Sequence, residues 1–404
     1  MPRLFRLLAL TGVIAAAGCS GAPVLANPPV VRPSPASPTP PPSHPPDPQP
    51  IAFPRDDGVH DRLTEWWYVT GHLSTPDGRR FGFEDVIFRA ERGAFPVTWA
   101  SHLALTDERG DRFLYAQRSE VGPQVDRAAA ADGLDLAIVG DPTASGTTAS
   151  RTAWTMRRTG AGMALDATAN PDEVAVGGEP NGNAAGAGPP GIGPSAFGLS
   201  LATRDSPPVL HGTGGWIDFG PAGGSYYYSR TRQPTTGTLT LGGERMAVSG
   251  ISWFDHQWGD FISVGGGGWD WFAVNLGDGT DVTLSLVRAA DGTYPLVYGT
   301  LVRPNGRVEH LAADDFTVEP SGRWTSPRTG ATYPAGWRIS LPGEGATIVL
   351  TPTVAAQELD TRPTTGVTYW EGSQRVTLLR RGDIAAREDA GEAYVELTGY
   401  APAG

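Results

Sequence analysis

An all-β fold is predicted for this chain by three features of its sequence. Strong helical periodicity is absent, whereas short runs of β-forming residues recur between turn residues. The chain contains 54 glycines and 37 prolines, which punctuate these runs. Asp-Gly and Asn-Gly pairs stand between several of the runs, as they do in β-hairpins. Many short strands joined by tight turns are typical of barrels and sandwiches, and the length of 404 residues predicts two domains.

The first predicted hairpin opens the folded part of the chain. Its first strand, at 66–73, is rich in β-formers and leads into Thr75-Pro76-Asp77-Gly78. Proline presets φ at this turn, and glycine accepts the left-handed conformation. The second strand is predicted at 81–89 and a third strand at 98–106. Further hairpins are predicted around Gly242-Gly243, Asp278-Gly279 and Pro304-Asn305-Gly306.

The amino-terminal residues resemble a bacterial lipoprotein signal. Arg3 and Arg6 form a positive head, and 7–17 is an apolar stretch too short to span a membrane. Ala16-Ala17-Gly18-Cys19 resembles the lipoprotein processing box, and Cys19 is the only cysteine. We therefore expect cleavage before Cys19 and acylation of its thiol, which would anchor an exported protein to a membrane of the cell envelope. Simple secretory cleavage nearby is the alternative.

A proline-rich stalk is predicted between this signal and the folded part. Pro40, Pro41 and Pro42 are consecutive in a stretch that has too few apolar residues to bury a core. The predicted organisation is a signal peptide at 1–18, a linker at 19–50, and two domains at 51–240 and 241–404. The segment 177–198 is mostly small residues and is predicted to be a long loop or disordered insert.

The net charge and the absence of common catalytic motifs exclude several classes of function. The net charge of −12 argues against nucleic acid as a partner and against electrostatic docking onto anionic lipid. Gly-x-Ser-x-Gly is absent, and the glycine run 265–268 lacks the residues that follow a phosphate-binding loop. No cofactor is therefore expected. The seven histidines are scattered along the sequence without metal-ligand spacing, so no metal site is expected either.

The segment from 253 to 271 is the most informative for function. Four tryptophans lie within these nineteen residues and are interleaved with Asp255, His256 and Asp270. Indole needs a hydrogen-bond partner when buried, and carboxylates and imidazoles are costly to bury unless they are paired. The combination predicts the aromatic, proton-competent wall of a pocket for a large apolar ligand. The alternative is an ordinary core in which the few acids bind loop amides.

Several long motifs resemble the carotenoid hydratase-like (AttH/CrtC-like) family. They are Pro54-Arg55-Asp56, the run 65–73, Phe81-Gly82-Phe83, His211-Gly212, Tyr226-Tyr227-Tyr228-Ser229, the runs 253–258 and 268–273, Tyr369-Trp370-Glu371-Gly372 and the run 394–400. The resemblance covers about residues 54–401 and implies two lipocalin-like β-barrels in tandem. Family members are often called secreted hydrolases. The insert at 128–198 departs from the compact family pattern.

A hydratase-like activity sets the chemical requirements of the predicted site. Adding water to an isolated double bond requires a proton donor, shielding of a carbocation, and a water molecule. Asp255, His256, Asp270 and Glu65 are the candidate catalytic residues, because burial beside indoles favours a protonated carboxylic acid. His256 and Trp258 resemble a His-x-Trp pair of the hydratases. Asp255 and Asp270 capping turns, with His256 bonded to a backbone carbonyl, is the structural alternative.

The predicted pocket lies where the segments 253–258, 269–272 and 65–68 meet, because acids and indoles alternate most densely there. The candidate substrate-binding residues are Trp66, Trp67, Tyr68, Trp253, Trp258, Trp269, Trp271, Tyr369 and Trp370. Tryptophan faces could shield a cation, each contributing roughly 0.5–2 kcal/mol.

Two classes of function remain open. The first is an enzyme that hydrates or hydrolyses an apolar lipid or terpenoid. The second is a non-catalytic lipocalin-like carrier of lipids, which a position at the cell envelope suits better than pigment synthesis. Convergence of Asp255, His256 and Asp270 at the floor of an apolar cavity would favour the enzyme, and a position at the surface would favour the carrier.

Overall fold

The computed structural model describes residues 46–129, 133–140, 151–178, 195–261 and 266–401. These ranges contain β-strands and short 3-10 helices without an α-helix, so the all-β prediction is confirmed. Within them, no helix is long and apolar enough to cross a membrane. The predicted signal peptide at 1–18, Cys19 and most of the predicted linker lie outside the described ranges, as does most of the predicted insert at 177–198.

The first sheet contains thirteen strands. In chain order they are β1 (Thr64–Ser74), β2 (Arg80–Ala90), β3 (Thr98–Asp107), β4 (Arg112–Val121), β5 (Asp135–Ile138), β6 (Trp154–Thr159), β7 (Gly162–Ala169), β8 (Ala175–Val176), β9 (Phe197–Thr203), β10 (Val209–Leu210), β11 (Trp216–Asp218), β12 (Gly224–Leu241) and β13 (Glu244–Gly259). Short 3-10 helices lie at Arg55–Asp57, Pro123–Val125 and Gly220–Ala222.

The first sheet curls on itself into a barrel. Its order is β5-β6-β7-β9-β12-β13-β1-β2-β3-β4-β8, with β10 and β11 beside β12. Arg118 on β4 donates hydrogen bonds to the carbonyl oxygens of Thr168 on β7 (3.3 Å) and of Thr152 just before β6 (2.7 Å), so it connects β4 to strands near the opposite end of the sheet. We call this sheet the first barrel.

The second sheet contains ten strands and forms the second barrel. Its strands are β14 (Gly266–Leu276), β15 (Asp281–Ala289), β16 (Leu296–Val302), β17 (Val308–Leu311), β18 (Thr317–Pro320), β21 (Trp337–Leu341), β22 (Ala346–Pro352), β23 (Glu358–Asp360), β24 (Thr368–Arg380) and β25 (Gly391–Thr398). Two further strands, β19 (Arg323–Thr325) and β20 (Thr332–Pro334), pair with each other in a separate small sheet. Short 3-10 helices lie at Ala313–Asp315 and Pro342–Glu344. The order is β17-β16-β15-β14-β25-β24-β22-β21-β18, with β23 beside β24.

The predicted hairpins are present, and the tandem arrangement of two lipocalin-like barrels is confirmed. The predicted strands at 66–73 and 81–89 lie within β1 and β2, which pair antiparallel. The predicted boundary between residues 240 and 241 lies in the β12–β13 hairpin, which belongs wholly to the first barrel. The strands change sheet between Gly259 and Gly266.

Each barrel has its own core. Alternate residues of the long strands point into this core. In the first barrel, Trp67 and Val69 of β1 and Phe254 of β13 belong to one buried cluster. In the second barrel, Phe272 of β14 and Val395 of β25 belong to another.

The opposite faces of these strands meet in an interface between the barrels, which we call the seam. Its buried hydrophobic cluster consists of Tyr68, Val86, Phe88, Ala90, Ala100, Trp253, Trp271, Ala273 and Tyr394, with Trp66 and Trp269 packed against it. Hydrogen bonds also cross the seam. His72 Nε2 lies 3.1 Å from Ser373 Oγ, and Thr106 Oγ1 donates to Gln357 Oε1 at 2.7 Å. The seam is therefore both aromatic and hydrogen-bonded.

Gly82 on β2 lies at a point where the two barrels pack closely. A Cβ atom at this position would lie 2.6 Å from Cβ of Ser373 and 3.1 Å from the hydroxyl of Tyr394, both in the second barrel. Gly82→Ala is therefore expected to lower the free energy of unfolding by about 1–3 kcal/mol. Urea unfolding measures the change, and Gly160→Ala is the control because its Cβ would meet nothing within 4 Å. Equal stability of the two variants would contradict a tightly packed seam.

Candidate active site

Strand alternation divides the sequence-predicted site residues among three environments. Successive side chains of a strand point to opposite faces, so neighbours in a motif are separated in space. The seam holds Trp66, Tyr68, Trp253, Asp255, Trp269, Trp271 and Tyr369. The first barrel's interior holds Glu65, Trp67, His256 and Trp258, and the second barrel holds Asp270 and Trp370. The predicted segments do meet, but only one face of each contributes to the seam.

Asp255, His256 and Asp270 do not converge, although His256 does meet Glu65, the fourth candidate catalytic residue, inside the first barrel. Asp255 and His256 are adjacent on β13 and point to opposite faces. Asp270 faces the second barrel, where the hydroxyls of Tyr400 (3.0 Å) and Tyr294 (3.2 Å) donate to its carboxyl. Burial raises the pKa of Asp270 above its ordinary value. Asp255, His256 and Asp270 are all buried, but they lie in three different environments. The seam also contains acids that the sequence did not single out.

Two fully buried glutamates, one from each barrel, lie in the seam. Tyr68 Oη donates to Glu371 Oε1 at 2.6 Å, and Tyr369 Oη donates to Glu84 Oε1 at 2.8 Å. Each tyrosine belongs to the barrel opposite its glutamate, so the hydrogen bonds cross the seam in both directions. Within the described residues, Oε2 of Glu84 and Oε2 of Glu371 have no hydrogen-bond partner.

The environment of these glutamates favours their neutral form. Burial, followed by the negative charges of Glu84 and Glu396, raises the pKa of Glu371 well above its ordinary value. Burial likewise raises the pKa of Glu84 well above its ordinary value, although the hydrogen bond from Tyr369 opposes the shift. Carboxyls that share a low-dielectric site do not readily all ionise, so the seam favours keeping a proton on this pair.

Glu396 on β25 lies beside this pair, with Glu371 and Trp271 as its cross-strand neighbours. Burial, with a smaller contribution from the charge of Asp255, raises the pKa of Glu396 to about 7. Its side chain is partly exposed, unlike those of Glu84 and Glu371. Burial therefore favours the neutral form of Glu396 as well.

Asp255 occupies the other end of the seam and serves as a hydrogen-bond acceptor. Its carboxyl accepts from Tyr227 Oη (2.8 Å), from Trp253 Nε1 (2.7 Å) and from the Ser229 hydroxyl. Burial raises the pKa of Asp255 to about 7, while these three donors oppose the shift. Trp271 Nε1 donates to Tyr227 Oη at 3.0 Å. Asp255 therefore orients two indoles of the seam, one directly and one through Tyr227.

Aromatic rings form the walls between these acids. Trp271 meets Tyr68 edge to face with ring centroids 5.4 Å apart, and it meets Trp253 at 6.1 Å in the same way. Trp66 and Trp269 stack at 6.3 Å and are only partly buried. This stacked pair lies at the rim of the seam, between its buried acids and solvent.

Comparison with known proteins identifies the family. The AttH-like family model matches residues 44–190 and 191–400. The chain belongs to the AttH-like family. The structure of an AttH protein from Nitrosomonas europaea is 30% identical with a TM-score of 0.68 and covers 87% of this chain and 98% of that chain. Kievitone hydratase from Nectria haematococca shares the fold at 15% identity and a TM-score of 0.60, covering 87% of this chain and 94% of that chain. No match was found among curated proteins.

The resemblance to carotenoid hydratase-like proteins is thus confirmed. Three acids of the seam were not selected as site residues from the sequence. Glu371 and Glu396 stand two positions after Tyr369 and Tyr394, so period-2 alternation could have placed them on the same face as those tyrosines. Glu84 follows the Phe81-Gly82-Phe83 motif, and no tryptophan stands near it in the sequence. Only the pairing of β2 with β1 brings it to the seam.

Two histidines of this AttH-like protein meet at Glu65 inside the first barrel. His60 Nδ1 lies 2.7 Å and His256 Nε2 lies 2.9 Å from Glu65 Oε1. Burial alone would raise the pKa of Glu65, but the two histidines hold this pKa below its ordinary value. Sequence spacing could not reveal the cluster, because His256 comes from β13 and His60 from the segment before β1.

Proposed function

We propose that this AttH-like protein adds water to a carbon–carbon double bond of an apolar substrate at the seam. The observation that carries the proposal is the pair Glu84 and Glu371, whose buried Oε2 atoms have no partner within the described residues. A carboxyl that burial keeps neutral is a general acid at neutral pH. The fold shared with kievitone hydratase agrees with this chemistry.

The two carboxyls divide the proton transfers of hydration between them. The protonated carboxyl transfers its proton to one alkene carbon, and the π electrons form the new C–H bond. The oxygen of a water molecule then bonds to the other carbon, and the surplus proton of that water passes to the second carboxyl of the pair, which is ionised while the first is protonated. Exchange between the carboxyls restores the first acid, so the net reaction adds one water. Tyr68 and Tyr369 hold Oε1 of each glutamate, which leaves Oε2 for the transferred proton.

The aromatic walls stabilise the cationic species between the two steps. Trp271, Trp253 and Tyr68 surround the site with their ring systems. A cation over an indole face gains roughly 0.5–2 kcal/mol. The same rings favour a lipid or terpenoid over a charged substrate, because burying a charge without a partner is costly.

Hydrolysis of an ester or amide would require an activated nucleophile, and Ser229 is not arranged as one. Its hydroxyl donates to Asp255 and lies 2.6 Å from His211 Nε2. The other ring nitrogen of His211 contacts Thr300 Oγ1 at 2.9 Å, where a serine hydrolase has a carboxylate. The geometry therefore favours hydration over hydrolysis.

A panel of polyenes and terpenoid alkenes, incubated with the purified protein in D₂O, tests the proposal. The expected product contains one added water and one deuterium bound to carbon, as detected by mass spectrometry. An alkene that quenches tryptophan fluorescence and is recovered unchanged would support the lipid-carrier alternative. No quenching by any alkene would mean that the seam is not a ligand site.

We also propose that the protein is exported and held at the cell envelope by acylation of Cys19. The support is the positive, apolar and processing-box sequence before this single cysteine. Metabolic labelling with a fatty-acid analogue is expected to mark the wild-type protein and not Cys19→Ser. Label that persists in Cys19→Ser would contradict the anchor, as would failure to label the wild type.

A further inference from the structure

We infer that His60, Glu65 and His256 form a binding site for one divalent transition-metal ion in the first barrel. One ligand atom from each residue lies within 4.8 Å of the others. Glu65 and His256 are fully buried, and the His60 side chain is 18% exposed. The site is on the opposite face of β1 and β13 from the seam, so it does not depend on the proposed hydration.

The contacts of the two rings call for either extra protons or a metal ion beside Glu65. His256 Nδ1 lies 3.1 Å from the backbone oxygen of Asp56, and His60 Nε2 lies 3.3 Å from Asp56 Oδ1. The inner nitrogens both face Glu65 Oε1. Each ring thus has an oxygen acceptor at both nitrogens, but a neutral imidazole has only one N–H. Two neutral rings therefore leave two nitrogen lone pairs facing oxygen lone pairs.

A single divalent ion satisfies all four contacts. The outer nitrogens then carry the protons and donate to the two oxygens of Asp56, which fixes both tautomers. The inner nitrogens and Glu65 Oε1 supply three ligands to the metal. A metal-bound histidine almost always donates its other N–H to a carboxylate or a carbonyl, and Asp56 supplies one of each. The partly exposed side of His60 admits a water as fourth ligand.

The ligand set indicates which metals the site would take. Two imidazoles and one carboxylate suit Zn²⁺ and neighbouring first-row ions, and suit Ca²⁺ or Mg²⁺ poorly. Aromatic rings hold the histidines in place: Trp258 stacks on His60 at 4.1 Å, and Trp67 stacks on His256 at 4.8 Å. The ion would tie the segment before β1 to β1 and β13, which is a structural role.

Zinc titration of the purified full-length protein, after treatment with a chelator, tests the site. The wild type is expected to bind one Zn²⁺ per chain and to show a higher Tm with zinc. His60→Gln should lose affinity by at least the roughly 10–100-fold that loss of an outer partner costs. His310→Gln is the matched control, because His310 is exposed and lies outside the cluster. It should behave as the wild type does.

Two outcomes would overturn the inference. The first is no zinc binding by the wild type, which would mean that protons occupy the positions between the rings and Glu65. The second is equal zinc affinity of the wild type and His60→Gln, which would place the bound zinc elsewhere. If His60→Gln does not fold, the visible spectrum of the wild type with Co²⁺ decides. Intense bands of tetrahedral Co²⁺ support the site, and the weak spectrum of hydrated Co²⁺ refutes it.

Discussion

Replacing Glu371 by glutamine is expected to lower the rate of alkene hydration by about 10²–10⁴-fold, the usual contribution of a general acid. Glutamine keeps the shape of the side chain, and its amide oxygen can still accept the hydrogen bond from Tyr68. It cannot deliver a proton to the substrate. Binding of the alkene, measured by tryptophan fluorescence, should change little because the aromatic walls remain.

Asp270→Asn is the matched control for this variant. Asp270 is also a buried acid with tyrosine partners and a raised pKa, but it lies in the second barrel outside the seam. Its replacement should leave the rate close to that of the wild type. An active Glu371→Gln variant beside an inactive Asp270→Asn variant would reverse the assignment and return the acid to the residue chosen from the sequence.

The second large effect is expected for stability, at Asp85 on β2. Its carboxyl lies between Val69 and Leu103 on neighbouring strands, facing the core of the first barrel. Burial, with the charge of Asp166, raises its pKa to about 7. Ionisation of Asp85 in the folded protein is therefore unfavourable.

The direction of the pH dependence follows from proton linkage. Between the ordinary pKa of 3.8 and the folded value of about 7, the folded protein keeps a proton on Asp85 that the unfolded chain has lost. Stability is therefore highest below the ordinary pKa and falls as the pH rises through the folded pKa. Asparagine stays neutral throughout. Asp85→Asn should thus match the wild type near pH 4 and exceed its stability above pH 7 by on the order of a few kcal/mol.

Urea unfolding of both proteins across this pH range measures the difference. The comparison isolates Asp85, because other buried groups contribute equally to both proteins. His102 and His211, whose pKa values burial lowers to about 3, give stability an opposite slope and would obscure the wild-type curve alone. A stability difference that does not change with pH would show that Asp85 titrates normally.

The fold was predictable because its signals are local. The turn Thr75-Pro76-Asp77-Gly78 and the alternation around Asp278-Gly279 each determine a hairpin within a short stretch of chain. The point at which the chain passes from the first barrel to the second, between Gly259 and Gly266, has no such local signal. The Gly242-Gly243 turn has the composition of a boundary but joins β12 and β13 within one barrel.

The site was predictable only in part, because it depends on contacts that are distant in sequence. The density of indoles and acids led to the strands that form the seam, but not to the face of each strand that lies there. His256 was chosen for its place among the indoles and for the His-x-Trp pair that it forms with Trp258, but alternation sends it to the face opposite Asp255. Glu84 and Glu371 come together only when the barrels dock, and no local pattern records that docking.

Infrared difference spectroscopy of the wild type minus Glu371→Gln tests the central claim most directly, because it needs no substrate. The carbonyl stretch of a protonated carboxylic acid is well separated from the bands of an ionised carboxylate. We expect the difference spectrum at pH 7 to contain the protonated band, and we expect this band to persist above pH 7 as burial of Glu371 requires. A difference spectrum at pH 7 with only ionised carboxylate bands would contradict an acid at the seam.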